Sequence, residues 1–128
     1  MDMDRSPYWL ERAEYDLETA KAMLQAGRYL YIGFMCQQTA EKALKAVIAH
    51  KGVFPPKIPN LVRLAELADL SDLLSEAQYQ LLDELRPLSL EARYPSHKDT
   101  LNQMMDEQIS RNFIERTEVF LSWIKQML

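Results

Sequence analysis

The segment YLYIGFMCQQTAEKALKAVIAHKG, from Tyr29 to Gly52, contains the strongest structural signal of the chain. Nearly all of its first eight residues are apolar, and polar residues return only from Gln37 onward. On a helix these polar residues, chiefly Gln38, Glu41, Lys42 and Lys45, form one narrow polar stripe, while most other positions are apolar or small. The pattern therefore predicts a helix that is buried on most of its circumference and surrounded by other helices. Gly52 is typical of the residue that ends such a helix.

Capping residues and apolar periodicity predict further helices on both sides of this central one. Ser6 and Asn60 are predicted caps of a first and a third helix, and two further helices are predicted to start at about Ser75 and about Asp106. No strand signal of comparable strength occurs, and the short link around Gly27 favours antiparallel neighbours. We therefore expect an all-α fold, an antiparallel up-and-down four-helix bundle with one short additional helix. In its second helix, the predicted core residues are Phe34, Ala40, Leu44 and Val47.

Composition limits the function. The 128 residues fit a single domain over 1–128, and 48% hydrophobic residues are enough for a real core. Three glycines leave no room for a glycine-rich phosphate loop. The lone Cys36 excludes an internal disulfide and a thiolate zinc site, so we predict no metal and no cofactor. No apolar run is long enough to cross a bilayer, and no signal peptide is recognisable, so a cytoplasmic protein without membrane contact is expected.

Charge is unevenly distributed along the chain. The net charge is −4, yet five Lys or Arg and no acid lie between Lys42 and Arg63. The next stretch, Leu64 to Leu85, contains six acids and no base. Two interpretations remain open. The bases either complement helix ends, or they form a basic zone that faces an anionic ligand.

Two stretches together resemble the HEPN family (higher eukaryotes and prokaryotes nucleotide-binding domain). The segment QQTAEKALK, residues Gln37–Lys45, is similar to the Gln-Gln-x-x-Glu-Lys-x-Leu-Lys signature of the family's second helix. Arg93-Tyr94-Pro95 resembles the Arg-Tyr-Pro-Asp loop of small prokaryotic members, with Ser96 in the place of Asp. Asn60-Leu61 is similar to the start of the family's third helix, where Pro59 replaces a common His. The resemblance spans nearly the whole chain.

This resemblance implies a helical bundle that commonly forms homodimers. It also implies a nucleotide- or RNA-associated binding or regulatory module, encoded beside a nucleotidyltransferase in a two-gene toxin–antitoxin unit. The ligand-binding residues would be Gln38, Glu41, Lys42, Lys45 and Tyr94. In the alternative interpretation, the residues of the stripe are the strip of the helix left open to water, with Glu41 and Lys45 as an i,i+4 pair.

Catalytic HEPN members are metal-independent ribonucleases with an Arg and a His in one motif, which resembles Arg93 and His97. His97 would transfer the proton, and Arg93 would stabilise charge on the phosphate. Only three residues separate the two here, which is shorter than the spacing in the catalytic members. The alternative is that Arg93 pairs with Glu41 or Glu91 and that His97 lies on the surface.

A homodimer is also predicted from the last helix and the loop before it, because they carry more apolar residues than one core stripe requires. The residues concerned are Met104, Met105, Phe113, Trp123 and Met127.

Overall fold

The computed structural model describes residues 4–88 and 105–128. The described helices are α1 (Ser6–Gln25), α2 (Ile32–His50), α3 (Leu61–Leu67), α4 (Glu76–Leu85) and α5 (Glu107–Gln126). No strand occurs within these ranges, which confirms the all-α fold class. In the same ranges, no helix combines the length and the apolar character needed to cross a membrane. The predicted residues Arg93, Tyr94, His97 and Met104 lie outside the described residues.

Helix α2 is the centre of the fold, as its pattern predicts. It contacts each of the other four described helices, and thirteen of its nineteen residues are buried. Ala40, Leu44 and Val47 lie in the core as expected. The prediction for Phe34 is wrong, because this residue is only partly buried. Its position four residues before Gln38 puts it on the polar face of the helix.

The helix starts follow local capping chemistry. Side-chain oxygens of Asn60, Ser75 and Asp106 accept backbone N–H groups from the first turns of α3, α4 and α5, at 2.8–3.1 Å. The cap predicted at Ser6 is wrong. Ser6 is already helical, and its backbone N–H donates to Asp4 Oδ1 at 2.8 Å. Asp4, which precedes the helix, thus acts as the cap at the start of α1.

Ion pairs give the direction of neighbouring helices. Asp16 of α1 pairs with Lys42, whereas Asp4, before α1, lies 2.8 Å from His50 at the end of α2. The two helices are therefore antiparallel. The pairs Lys21–Glu118 and Glu14–Lys125 show in the same way that α5 is antiparallel to α1. The up-and-down order of the whole bundle stays a prediction, because most of the connection from α4 to α5 lies outside the described residues.

The residues that the homodimer prediction was based on contribute to the core of this chain, as far as the structure describes them, and the homodimer itself stays a prediction. Met105 and Phe113 are buried, and Trp123 and Met127 pack against the core. Large apolar residues that α4 and α5 do expose are Tyr79, Ile109 and Val119, at 48%, 37% and 67% exposure.

Candidate functional site

The polar stripe of α2 forms one hydrogen-bonded network. Gln38 donates to the Gln37 side chain at 2.7 Å, and Gln37 Nε2 lies 3.3 Å from Glu41 Oε1. Lys45 Nζ donates to Glu41 Oε2 at 3.1 Å. Gln37 is fully buried and also donates to the backbone carbonyl of Pro59 at 3.3 Å. The signature residues thereby join α2 to the connection that follows it.

Lys42, the remaining predicted ligand-binding residue of the stripe, forms an ion pair with Asp16 of α1. Asp16 is only 7% exposed, and Lys42 is partly buried. Enclosed charges of this kind need a partner, because desolvation of a lone charge is costly. Each charged residue of the stripe therefore has an opposite charge within the chain.

The alternative interpretation, a strip left open to water with an i,i+4 pair, is only partly correct: the pair is present, but both of its side chains are largely enclosed. The side chains of Glu41 and Lys45 are 13% and 9% exposed. Residues of α1 cover this face of α2. The Lys45 ammonium lies 5.5 Å from the centroid of the Trp9 ring, a cation–π contact.

Lys45 also lines a cavity at the end of the stripe, which we call the Trp9 cleft. Its volume is about 560 Å³, within the range of small-molecule sites. The cleft lies between the start of α1, the last third of α2 and the proline-containing connection to α3. Its lining residues are Asp4, Arg5, Pro7, Tyr8, Trp9, Lys45, Phe54, Pro55 and Lys57.

The Trp9 cleft has an excess of positive charge. Arg5, Lys45 and Lys57 face one carboxylate, that of Asp4. Hydrogen bonds from Ser6, followed by one with His50, lower the pKa of Asp4 to about 2, so this carboxylate is ionised at neutral pH. Both of its oxygens are already engaged with those two residues.

The other two cations of the cleft differ from Lys45. Arg5 and Lys57 are exposed, and no ion pair within the described residues involves either of them. The remaining bases of the segment from Lys42 to Arg63 are paired with carboxylates. The additional pairs are Lys51–Asp69 at 2.5 Å and Arg63–Glu66 at 3.0 Å. The basic zone predicted from sequence is thus largely neutralised, and Lys57 is its exception among the described residues.

The backbone of the α1 start contributes no additional donor to the cleft. The N–H of Ser6 bonds to Asp4, and Pro7 has none. The N–H groups of Tyr8 and Trp9 both bond to the Arg5 carbonyl, at 3.1 and 3.4 Å. An anion in this cleft would therefore be bound by side chains.

Sequence reasoning missed the aromatic side of the cleft. The three prolines between Val53 and Pro59 indicate only a stiff connection. In the structure Phe54 lines the cleft and is 70% exposed, while its neighbour Pro55 is buried and anchors the loop. The signal in the sequence was a large aromatic residue followed by two prolines and a lysine.

The predicted catalytic residues Arg93 and His97, with Tyr94, stay predictions because they lie outside the described residues. Within the described ranges, no group of three His, Cys, Asp or Glu residues could hold a metal ion. Cys36 is buried, and burial raises the pKa of its thiol to about 12, so it is not a nucleophile at neutral pH.

The sequence matches the HEPN domain family over residues 6–127. The chain therefore belongs to this family of nucleotide- and RNA-associated modules. The crystal structure of TT1696 from Thermus thermophilus is similar, with a TM-score of 0.82 and 26% sequence identity. The alignment covers 98% of this chain and 100% of TT1696. No curated protein matches the sequence significantly.

Proposed function

We propose that this HEPN protein is a non-catalytic binding module for a nucleotide or RNA. The observation that carries the proposal is the Trp9 cleft, which holds three cations and one carboxylate in a chain of net charge −4. A concave site with an excess of one sign of charge concentrates oppositely charged ligands. Arg5 and Lys57 suit phosphate oxygens, because both present N–H donors and an exposed positive charge.

The stripe supports this cleft more than it binds a ligand itself. Glu41 and Asp16 compensate Lys45 and Lys42, so the positive charge available to a ligand lies beyond the stripe. Lys45 connects the two, because it bonds Glu41 and lines the cleft. Among the predicted ligand-binding residues that the structure describes, Lys45 is the one that borders the cleft.

The direct test is to titrate the wild-type protein with AMP and with a short single-stranded oligoadenylate at low and high salt. We expect binding of at least one of them, weakened by salt because phosphate contacts dominate. Absence of binding to both at low salt would contradict the proposal.

The alternative function is a metal-independent ribonuclease that uses Arg93 and His97, which the resemblance to catalytic HEPN members favours. RNA cleavage in the presence of a chelator should be compared for wild type, Arg93→Ala and His97→Ala. Equal, near-background cleavage by all three supports the binding module. Strong cleavage that both substitutions abolish would establish the ribonuclease instead.

We further propose that the single domain acts as a homodimer and beside a nucleotidyltransferase in a two-gene toxin–antitoxin unit, as the family resemblance implies. The exposed Tyr79 and Val119 of α4 and α5 offer apolar surface for self-association. Sedimentation at micromolar concentration should give a dimer, and a clean monomer would contradict it.

The nucleotidyltransferase partner is tested by co-expression with the neighbouring reading frame, which should yield a complex that survives gel filtration.

A further inference from the structure

Resting on the proposed function, we propose that the Trp9 cleft recognises one unpaired nucleobase together with its phosphate. The base stacks on Phe54, and the phosphate is bound by Arg5 and Lys57. The ligand is a free nucleotide or an unpaired nucleotide of an RNA chain, which share this chemistry.

Phe54 has the properties of a stacking platform. It is 70% exposed, and the adjacent Val53 is 57% exposed, although large apolar side chains are usually covered. Pro55 and Pro56 follow directly and restrict the backbone of the loop. An aromatic ring on a restricted loop loses little conformational freedom when a base stacks on it.

Trp9 has a different role in the same cleft. The Lys45 ammonium lies over its ring at 5.5 Å, and Tyr8 meets it edge-on with ring centroids 5.2 Å apart. Trp9 therefore forms a wall of the cleft, and its ring already contacts Lys45 and Tyr8. Phe54, by contrast, is 70% exposed, and within the described residues no aromatic pair involves it.

The cations complete the match to a nucleotide. Arg5 and Lys57 line the same cavity as Phe54 and are exposed, whereas Lys45 is 7% exposed and already bound to Glu41. Base stacking on an aromatic ring combined with basic phosphate contacts is the general chemistry of single-strand recognition. A cavity of about 560 Å³ suits one nucleotide, and a base inside a duplex has no free face to offer.

The chain provides its own fluorescent reporter. It has two tryptophans, Trp9 and Trp123, so the variant Trp123→Phe leaves Trp9 in the cleft as the only tryptophan, which can be excited selectively over the tyrosines. AMP, the oligoadenylate, ribose 5-phosphate and inorganic phosphate are titrated into this protein. We expect Trp9 emission to change, and AMP to bind more tightly than ribose 5-phosphate, because only AMP has a base.

Two substitutions then separate base from phosphate recognition. Phe54→Ala should weaken AMP or oligoadenylate binding about tenfold, in the range of losing one base–aromatic stack, and leave inorganic phosphate binding unchanged. Phe54→Tyr should restore binding. Lys57→Ala should weaken the binding of all four ligands. Tyr15→Ala removes an exposed aromatic residue of α1 that does not line the cleft and should change none of them.

The outcomes distinguish this inference from the proposed function. If wild type binds AMP or oligoadenylate and neither Phe54→Ala nor Lys57→Ala weakens the binding, the cleft assignment is overturned and the binding module remains. Equal affinity for AMP and ribose 5-phosphate would overturn base stacking. If wild type binds none of the ligands, the proposed function itself fails. Tighter binding of oligoadenylate than of AMP identifies RNA as the source, and the reverse identifies a free nucleotide.

Discussion

The polar stripe of α2 and the Trp9 cleft use similar residues in opposite ways. In the stripe, Lys42 is held by Asp16 and Lys45 by Glu41, with side chains that are 21% exposed or less. In the cleft, Arg5 and Lys57 are exposed and have no ion-pair partner among the described residues. Enclosed, paired charges contribute to the fold, whereas exposed charges beside an aromatic residue remain available to a ligand.

The difference also explains how a family signature can be structural and still determine a site. Gln37 bonds the carbonyl of Pro59, at the end of the connection that carries Phe54, and Lys45 contacts Trp9. In our proposal these signature residues support a site whose ligand contacts are assigned to residues 5, 54 and 57.

The largest effect is expected in the enclosed part of α2. Leu44 has no exposed surface, so Leu44→Ala leaves a cavity and should lower the free energy of unfolding by roughly 2–5 kcal/mol. Urea denaturation measures the loss. Val53→Ala, at a position that is 57% exposed, is the control and should change stability by less than about 0.5 kcal/mol. A small loss for Leu44→Ala would mean that α2 is not central.

Removing an ion pair of the stripe should lower the free energy of unfolding less than the core substitution Leu44→Ala does. Asp16→Ala leaves the partly enclosed Lys42 without its partner and should lower the free energy of unfolding by about 2 kcal/mol, below the value for fully buried pairs. Glu18→Ala, at a side chain that is 71% exposed, is the matched control on α1 and should change little. Equal stability of both variants would contradict the contrast between stripe and cleft.

The buried Cys36 of α2 should make the stability of the fold decrease at alkaline pH. The folded pKa is about 12 against 9.0 for the free thiol, because burial disfavours the thiolate. This contribution to stability is complete below about pH 9 and is lost as pH rises toward about 12. Between pH 9 and 10 the loss should be about 1 kcal/mol.

The control for this pH dependence is Cys36→Ala. It should remove the slope that the thiol causes, because the remaining Tyr and Lys residues titrate in both proteins. Identical slopes for wild type and variant would show that the thiol is not protected in the folded state.

Local features of the fold were predictable from the sequence. Asn60 caps its helix as predicted, and Ser75 and Asp106 cap the two helices predicted to start near them, because a cap depends on residues two or three positions away. Ser6 was mistaken for a cap because Asp4, two residues earlier, takes that role. Periodicity located α2 correctly and failed at Phe34, where an apolar residue lies on the polar face.

The site was less predictable, because its contacts are distant in sequence. Nothing near Lys42 indicates that Asp16, in another helix, neutralises it. The cleft joins residues 4–9, 45 and 54–57, and only folding brings these segments together. Arg93 and His97, which the family resemblance suggests as catalytic residues, remain predictions.

The contrast between cleft and stripe is tested most directly by two-dimensional amide NMR during titration with AMP. We expect the largest shift changes at Arg5, Phe54, Lys57 and the Trp9 indole. The Trp123 indole and the amides of Gln38 and Lys42 should stay nearly unchanged. Changes centred on Gln38 and Lys42, with an unmoved Trp9 indole, would contradict the assignment and return ligand binding to the stripe.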